Sequence, residues 1–236
     1  MRFFTSITQT LLLIILILAS VVYANENKNQ GSTVPNLESS KKNAPRSVKI
    51  LAFGDSITAG YRLPQKQAWP ALLQMELIKN NIAAEVINAG VSGDTSAQGL
   101  RRVDWVLSRG PYDLILLGLG ANDGLRNLPL KQLEANLSNL VDRFSTPSSK
   151  VVLLGMKLPS NQNLQYRQDF EALYKKIATE KSLQLYPFLL EGVATEEMLN
   201  LDDQIHPNAD GHKKIAASLA AFLKQELLTL QKKIAP

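Results

Sequence analysis

The sequence predicts an α/β fold: a three-layer α/β/α sandwich with a mainly parallel sheet between two layers of helices. Three observations predict it. From Val48 onward, short apolar runs alternate with single longer stretches of helical periodicity. The apolar runs are continuous, as in parallel strands buried on both faces. The strand–helix–strand order makes each connection a right-handed crossover. The 236 residues suffice for one domain with a substantial core, and no internal repeat suggests an array.

Residues 48–53 form the first strand-type run. Over 67–78, Trp69, Leu72, Leu73 and Leu77 share one face at helical spacing. A second strand is predicted over 83–87. A helix follows over 95–108, with Asp94 or Thr95 as its N-cap. The third strand spans 112–117. The helix over 130–144 has Pro129 at its entry. The fourth strand spans 150–156. The next helix, over 164–180, carries Phe170, Leu173, Tyr174 and Ile177. A short fifth strand is expected over 183–186. The closing helix, over 208–230, repeats Ile215, Leu219, Leu223 and Leu227 at i+4.

The N-terminus has the pattern of an export signal. Arg2 is followed by an apolar run over 11–22, too short for an ordinary membrane span, and Val22-Tyr23-Ala24 ends in a cleavage-type site. Residues 1–24 are therefore read as a signal peptide cleaved after Ala24. The polar residues 25–46 are read as a flexible linker and 47–236 as the catalytic-type domain. An uncleaved anchor is the alternative, and either reading places the domain outside the cytoplasm, periplasmic or secreted.

Composition excludes several chemistries. Without Cys there is no disulfide, thiolate metal site or Cys nucleophile. With two His residues, a His-rich metal site is not expected. The net charge of +5 is scattered over helices with no basic–aromatic stripe, so no nucleic-acid partner is expected.

Four segments carry candidate chemistry, three at strand ends, where ligands bind in such folds. Gly54-Asp55-Ser56 presents a hydroxyl nucleophile, which needs a neighbouring base. It is not a Gly-x-Ser-x-Gly elbow. Asp203-Gln204-Ile205-His206-Pro207 offers a base and a carboxylate three residues before it, with Asp202 as the rival carboxylate and Asn208 as the next helix cap. Between them, Gly93 and Asn122, from 90–95 and 118–124, offer a backbone N–H and a side-chain amide to an oxyanion. Each strand-end segment alone reads more simply as turn chemistry, and the last also reads as a helix-capping turn with an idle His; their order is what makes the signal. Asp94 and Asp123 are read as loop-bracing carboxylates, and His212 as an ordinary surface or core His.

These blocks resemble the SGNH, or GDSL, hydrolase family: Gly54-Asp55-Ser56, then Gly93, then Gly120-x-Asn122-Asp123, then Asp203-x-x-His206. The stretches 54–63, 68–73, 92–100, 122–126, 157–161 and 203–208 are most similar to its bacterial periplasmic acyl-CoA thioesterase, lysophospholipase and arylesterase group. The likeness runs from about Val48 to the C-terminus. The linker is longer than the resemblance leads one to expect.

The resemblance implies a flavodoxin-like sandwich, no metal and no cofactor. It implies an exported serine hydrolase of acyl esters or thioesters, with Ser56, Asp203 and His206 catalytic. The oxyanion would rest on Ser56 N–H, Gly93 N–H and Asn122. Gly124, Leu125 and Arg126 would bind the acyl chain, with Leu158 and Pro159 nearby. Partners would be small acyl substrates and transient membrane lipid, for a monomer or weak oligomer. The rivals are a carbohydrate acetylesterase of the same fold and a non-catalytic lipid-binding protein; an intact nucleophile, base, carboxylate and Asn122 argue against the latter.

Overall fold

The computed structural model describes residues 46–234. The expected signal peptide and all of the linker but Arg46 lie outside them. Arg46 itself is tied down, its guanidinium 2.6 Å from Oδ1 of Asp113.

Five strands form one parallel sheet: β1 (Val48–Gly54), β2 (Ala84–Gly90), β3 (Leu114–Gly118), β4 (Lys150–Leu154) and β5 (Gln184–Tyr186), in the order β2-β1-β3-β4-β5. The helices are α1 (Ser56–Ala59), α2 (Trp69–Lys79), α3 (Ser96–Leu107), α4 (Ala121–Leu125), α5 (Leu130–Phe144), α6 (Leu164–Glu180) and α7 (Ala209–Ile234). α2 packs with α7, while α3, α5 and α6 pack in sequence. Chain direction across the sheet reverses after β2, so α2, before the reversal, covers one face and α3, α5 and α6, after it, cover the other. The expected sandwich is thus observed, with the sheet wholly parallel. Among the described residues, no helix is long and apolar enough to cross a membrane.

The core follows the apolar periodicity. β3 is buried throughout, and α2 buries Trp69, Leu73 and Leu77 along one face. α7 buries Ile215, Leu219, Leu223 and Leu227. Several boundaries differ from expectation. β2 runs on to Gly90, because residues 88–90 still pair with β1. Its Asn88 side chain accepts from Gly90 N–H at 2.9 Å, which is turn chemistry inside a strand. α2 begins at Trp69 and not at 67, since 65–67 form a separate 3-10 turn and Ala68 is extended. β4 ends at Leu154 and not at 156, where Gly155 passes against the carbonyl of Pro187. α3 is capped by Thr95, which accepts from Gln98 N–H while the Gln98 side chain accepts from Thr95 N–H.

Candidate active site

Register places the candidate residues together. Gly54, Gly90 and Gly118, at the ends of three adjacent strands, lie side by side. Ser56, Gly93 and Asn122 follow them by two, three and four residues. β1 and β3 flank the point where the strand order reverses, the crevice that open α/β sheets offer to ligands.

Ser56 is the first residue of the one-turn helix α1. Asp55 caps it, its Oδ1 accepting from Ile57 N–H at 3.0 Å. The Asp55 carboxyl is buried. Burial pushes its pKa up to about 7, with the Asp94 and Asp123 carboxylates adding to the rise against the opposing Ile57 hydrogen bond. Beside Ser56, Arg102 of α3 bridges two blocks. Its Nε donates to Asp94 at 2.6 Å, its Nη2 donates to the Gly54 carbonyl at 2.9 Å, and its guanidinium lies 3.9 Å over Phe53.

The expected base comes from the far end of the chain. Nε2 of His206 is 2.9 Å from Oγ of Ser56, and Nδ1 is 2.8 Å from Oδ2 of Asp203. The other Asp203 oxygen accepts backbone N–H groups of Ile205 (3.0 Å) and His206 (2.9 Å). Burial opposes ionisation of Asp203, but those two backbone bonds and the imidazole together outweigh it and lower its pKa to about 2. Asp203 is thus the carboxylate that meets the ring, and exposed Asp202 is not. The loop reaches this shape with Gln204 at φ +57° and with Leu201 N–H donating to the His206 carbonyl at 2.7 Å. The Asn208 side chain accepts from Asp210 and Gly211 N–H, capping α7.

Gly93 sits at φ +84°, a conformation an L-residue adopts only with strain. Nδ2 of Asn122 donates to the Asp94 carbonyl at 3.0 Å, which holds the amide beside the Gly93 loop and leaves its second hydrogen free of that bond. Asp123 accepts Ser96 N–H at 2.7 Å and Ser96 Oγ–H at 2.6 Å, so it and Asp94 brace loops, as expected.

The expected acyl-binding residues divide. Arg126 is exposed and donates to the Gly93 carbonyl at 3.1 Å. Leu125 is half-buried and Pro159 exposed. Gly124 and Leu158 are buried against each other: a side chain on Gly124 would run into Leu158 and Phe170. Three residues carry roles the sequence does not announce. Arg102 ties the first two blocks together. The ring of Tyr61 lies 4.5 Å from that of His206. Nδ1 of His212 accepts Trp69 N–H at 3.0 Å, at the start of α2. His212 is therefore a buried helix-end acceptor, and burial, then nearby His206, lowers its pKa to about 4. A signal existed for His212 alone, as the only other His in a chain where Ala68, before α2, has no side chain able to cap it.

The GDSL-like Lipase/Acylhydrolase family model matches residues 52–214. An arylesterase of Vibrio mimicus is 38% identical over 77% of this chain and 89% of its own length. Thioesterase 1/protease 1/lysophospholipase L1 of Escherichia coli K12 is 38% identical over 74% of this chain and 83% of its own. A crystal structure of TesA superposes with a TM-score of 0.72 at 36% identity, over 75% of this chain and 98% of that one. Sharing this sequence, fold and order of blocks, the chain belongs to the GDSL-like lipase/acylhydrolase family and is an esterase or thioesterase.

Proposed function

We propose that this chain is an exported serine esterase or thioesterase that cleaves small acyl substrates through an acyl-enzyme on Ser56. One observation carries the reading: the unbroken line from Asp203 through His206 to Ser56, with contacts of 2.8 and 2.9 Å. His206 Nε2 takes the proton as Ser56 Oγ attacks the carbonyl carbon. Asp203 holds the ring with Nε2 toward Ser56 and stabilises the imidazolium that forms. The oxyanion rests on Ser56 N–H, Gly93 N–H and Asn122. His206 then gives its proton to the departing alcohol or thiol. Water, activated by the same base, releases the acid and restores Ser56.

Arg126 and Leu125, at the mouth, meet the acyl chain or leaving group. Gly124, Leu158 and Pro159 shape the adjoining wall. Export follows from the N-terminal pattern, with the amphiphilic substrate met in solution or during a brief encounter with lipid. The arylesterase and lysophospholipase relatives support this substrate class.

Ser56→Ala should lower ester hydrolysis by on the order of 10³-fold or more, and a phosphonate should label Ser56 alone. A variant with near-normal turnover would overturn the reading. A panel of p-nitrophenyl esters of rising chain length, beside acyl-CoA and lysophospholipid, fixes the preferred substrate. A preference confined to acetylated sugars would point instead to a carbohydrate acetylesterase.

A further inference from the structure

His206 is held unevenly. Its two hydrogen bonds, to Asp203 and Ser56, both lie at the edge of the ring, on Nδ1 and Nε2. Such bonds fix where the nitrogens sit, but they resist tilting of the ring about the line between them only weakly, because a hydrogen bond tolerates tens of degrees of bending. The His206 side chain is 20% exposed, so most of it is covered by neighbouring groups that can restrain the tilt. What lies at its face is Tyr61, with ring centroids 4.5 Å apart and planes inclined by 37°. That is within the range of a favourable aromatic pair.

The position of Tyr61 is built into the nucleophile's own turn. α1 stops after one turn because Gly60 takes φ +77°. The N–H groups of Gly60 and Tyr61 both donate to the Ser56 carbonyl at 3.0 Å. Arg62 then takes φ +60°, and its guanidinium lies 5.1 Å from the Tyr61 ring centroid. The residue that carries Oγ therefore also anchors the backbone of the ring that meets the base.

We propose that Tyr61 is a positioning residue for His206: its ring face blocks imidazole tilt and keeps Nε2 aimed at Ser56 Oγ and then at the leaving atom. This rests on the triad reading above. The hydroxyl has no part in it; the ring face does the work. Misplacement of a catalytic group by about 1 Å can cost about 10²-fold in rate, so even loose restraint of the base is felt in kcat.

The test compares Tyr61→Leu, Tyr61→Met, Tyr61→Phe and Ser56→Ala in the full-length protein, each checked for a cooperative thermal melt. Tyr61→Leu should lower kcat on a soluble ester about 10- to 100-fold, leave KM within about threefold, and slow phosphonylation of Ser56 by the same factor. Tyr61→Phe should stay within about threefold of wild type. Tyr61→Met, unbranched and adaptable, gives the same reading should Tyr61→Leu fail to fold. A wild-type kcat in the leucine or methionine variant overturns the proposal. So does a loss confined to KM, or a phenylalanine variant as poor as leucine. If Ser56→Ala itself remains active, the triad reading falls as well; if it is dead while Tyr61→Leu is fully active, only the role of Tyr61 falls.

Discussion

Asp203 accepts three hydrogen bonds in all, two from backbone and one from the imidazole, and this decides how it titrates. With its pKa lowered to about 2, it stays ionised across the working range. Its own ionisation should therefore add nothing to a kcat/KM profile above about pH 4, and a further acid limb lost in Asp203→Asn would mean that Asp203 titrates there. Asp203→Asn should cut kcat by on the order of 10³- to 10⁴-fold, because an amide can hold the wrong tautomer. Asp202→Asn, measured beside it, should change kcat less than about threefold, since Asp202 makes no contact with the ring. Asn122→Ala should lower kcat by about 10²- to 10³-fold with little change in KM, since it removes a donor of the kind that acts chiefly in the transition state. The sequence offered Asn122 because it follows a strand end, and Asp203 because it stands three residues before one of two His residues. It could favour Asp203 over Asp202 only by offset; the loop's bend, with Gln204 at φ +57°, is what carries the carboxylate back to the ring. Tyr61 is silent in the sequence for a different reason. An aromatic after a glycine turn gives no hint that a ring 145 positions away will meet it.

Among the elements, α3 is where the loops are joined. Its first residue, Ser96, is gripped by Asp123 from α4, and Asn136 of α5 donates to the Ser96 hydroxyl at 2.9 Å. Near its middle, Arg102 holds Asp94 and the end of β1. The Asp123 carboxylate also faces the positive end of the helix. Asp123→Ala should leave Ser96 N–H and Oγ–H buried without their acceptor and destabilise the protein by on the order of 2–4 kcal/mol, read from chemical denaturation. Thr95→Ala should cost about 1 kcal/mol through its cap. The cap was legible only to within a residue, as Asp94 or Thr95; Thr followed three residues later by Gln is the local signature that favours Thr95. Arg102 was not. Its distance from Asp94, two helical turns, marks a shared face, but nothing local says that this face lies over the end of β1.

Over the whole molecule, two buried groups tilt stability in opposite directions with pH. Asp55 has its folded pKa raised from 3.8 to about 7, so the folded state holds the extra proton between those values and stability falls as pH rises through them. His212 has its folded pKa lowered from 6.5 to about 4, so the unfolded state holds the extra proton there and stability rises with pH across that window. The windows overlap, and the two slopes offset each other. Asp55→Asn should expose the His212 slope, with Tm climbing from pH 4 to pH 6.5. His212→Gln should expose the opposite one, with Tm declining toward pH 7. Two variants with parallel profiles would show that neither group is coupled to folding. The layered architecture was readable from Val48 onward because buried parallel strands and amphipathic helices write different periods into the chain. The one-turn α1 and the 3-10 turn over 65–67 were not, because elements that short bury no stripe of their own.

The hydrogen bond from Ser56 to His206 spans 150 residues, whereas Asp203 and His206 are three apart. In the proposed triad the carboxylate and base can take their places within one loop, but the nucleophile meets them only when the first strand and the last helix have both docked. Activity is therefore a gauge of chain closure. In rising denaturant, turnover should vanish before the circular dichroism of the sheet and helices does, as soon as the C-terminal segment frays from its seat. On refolding it should be the last property to return.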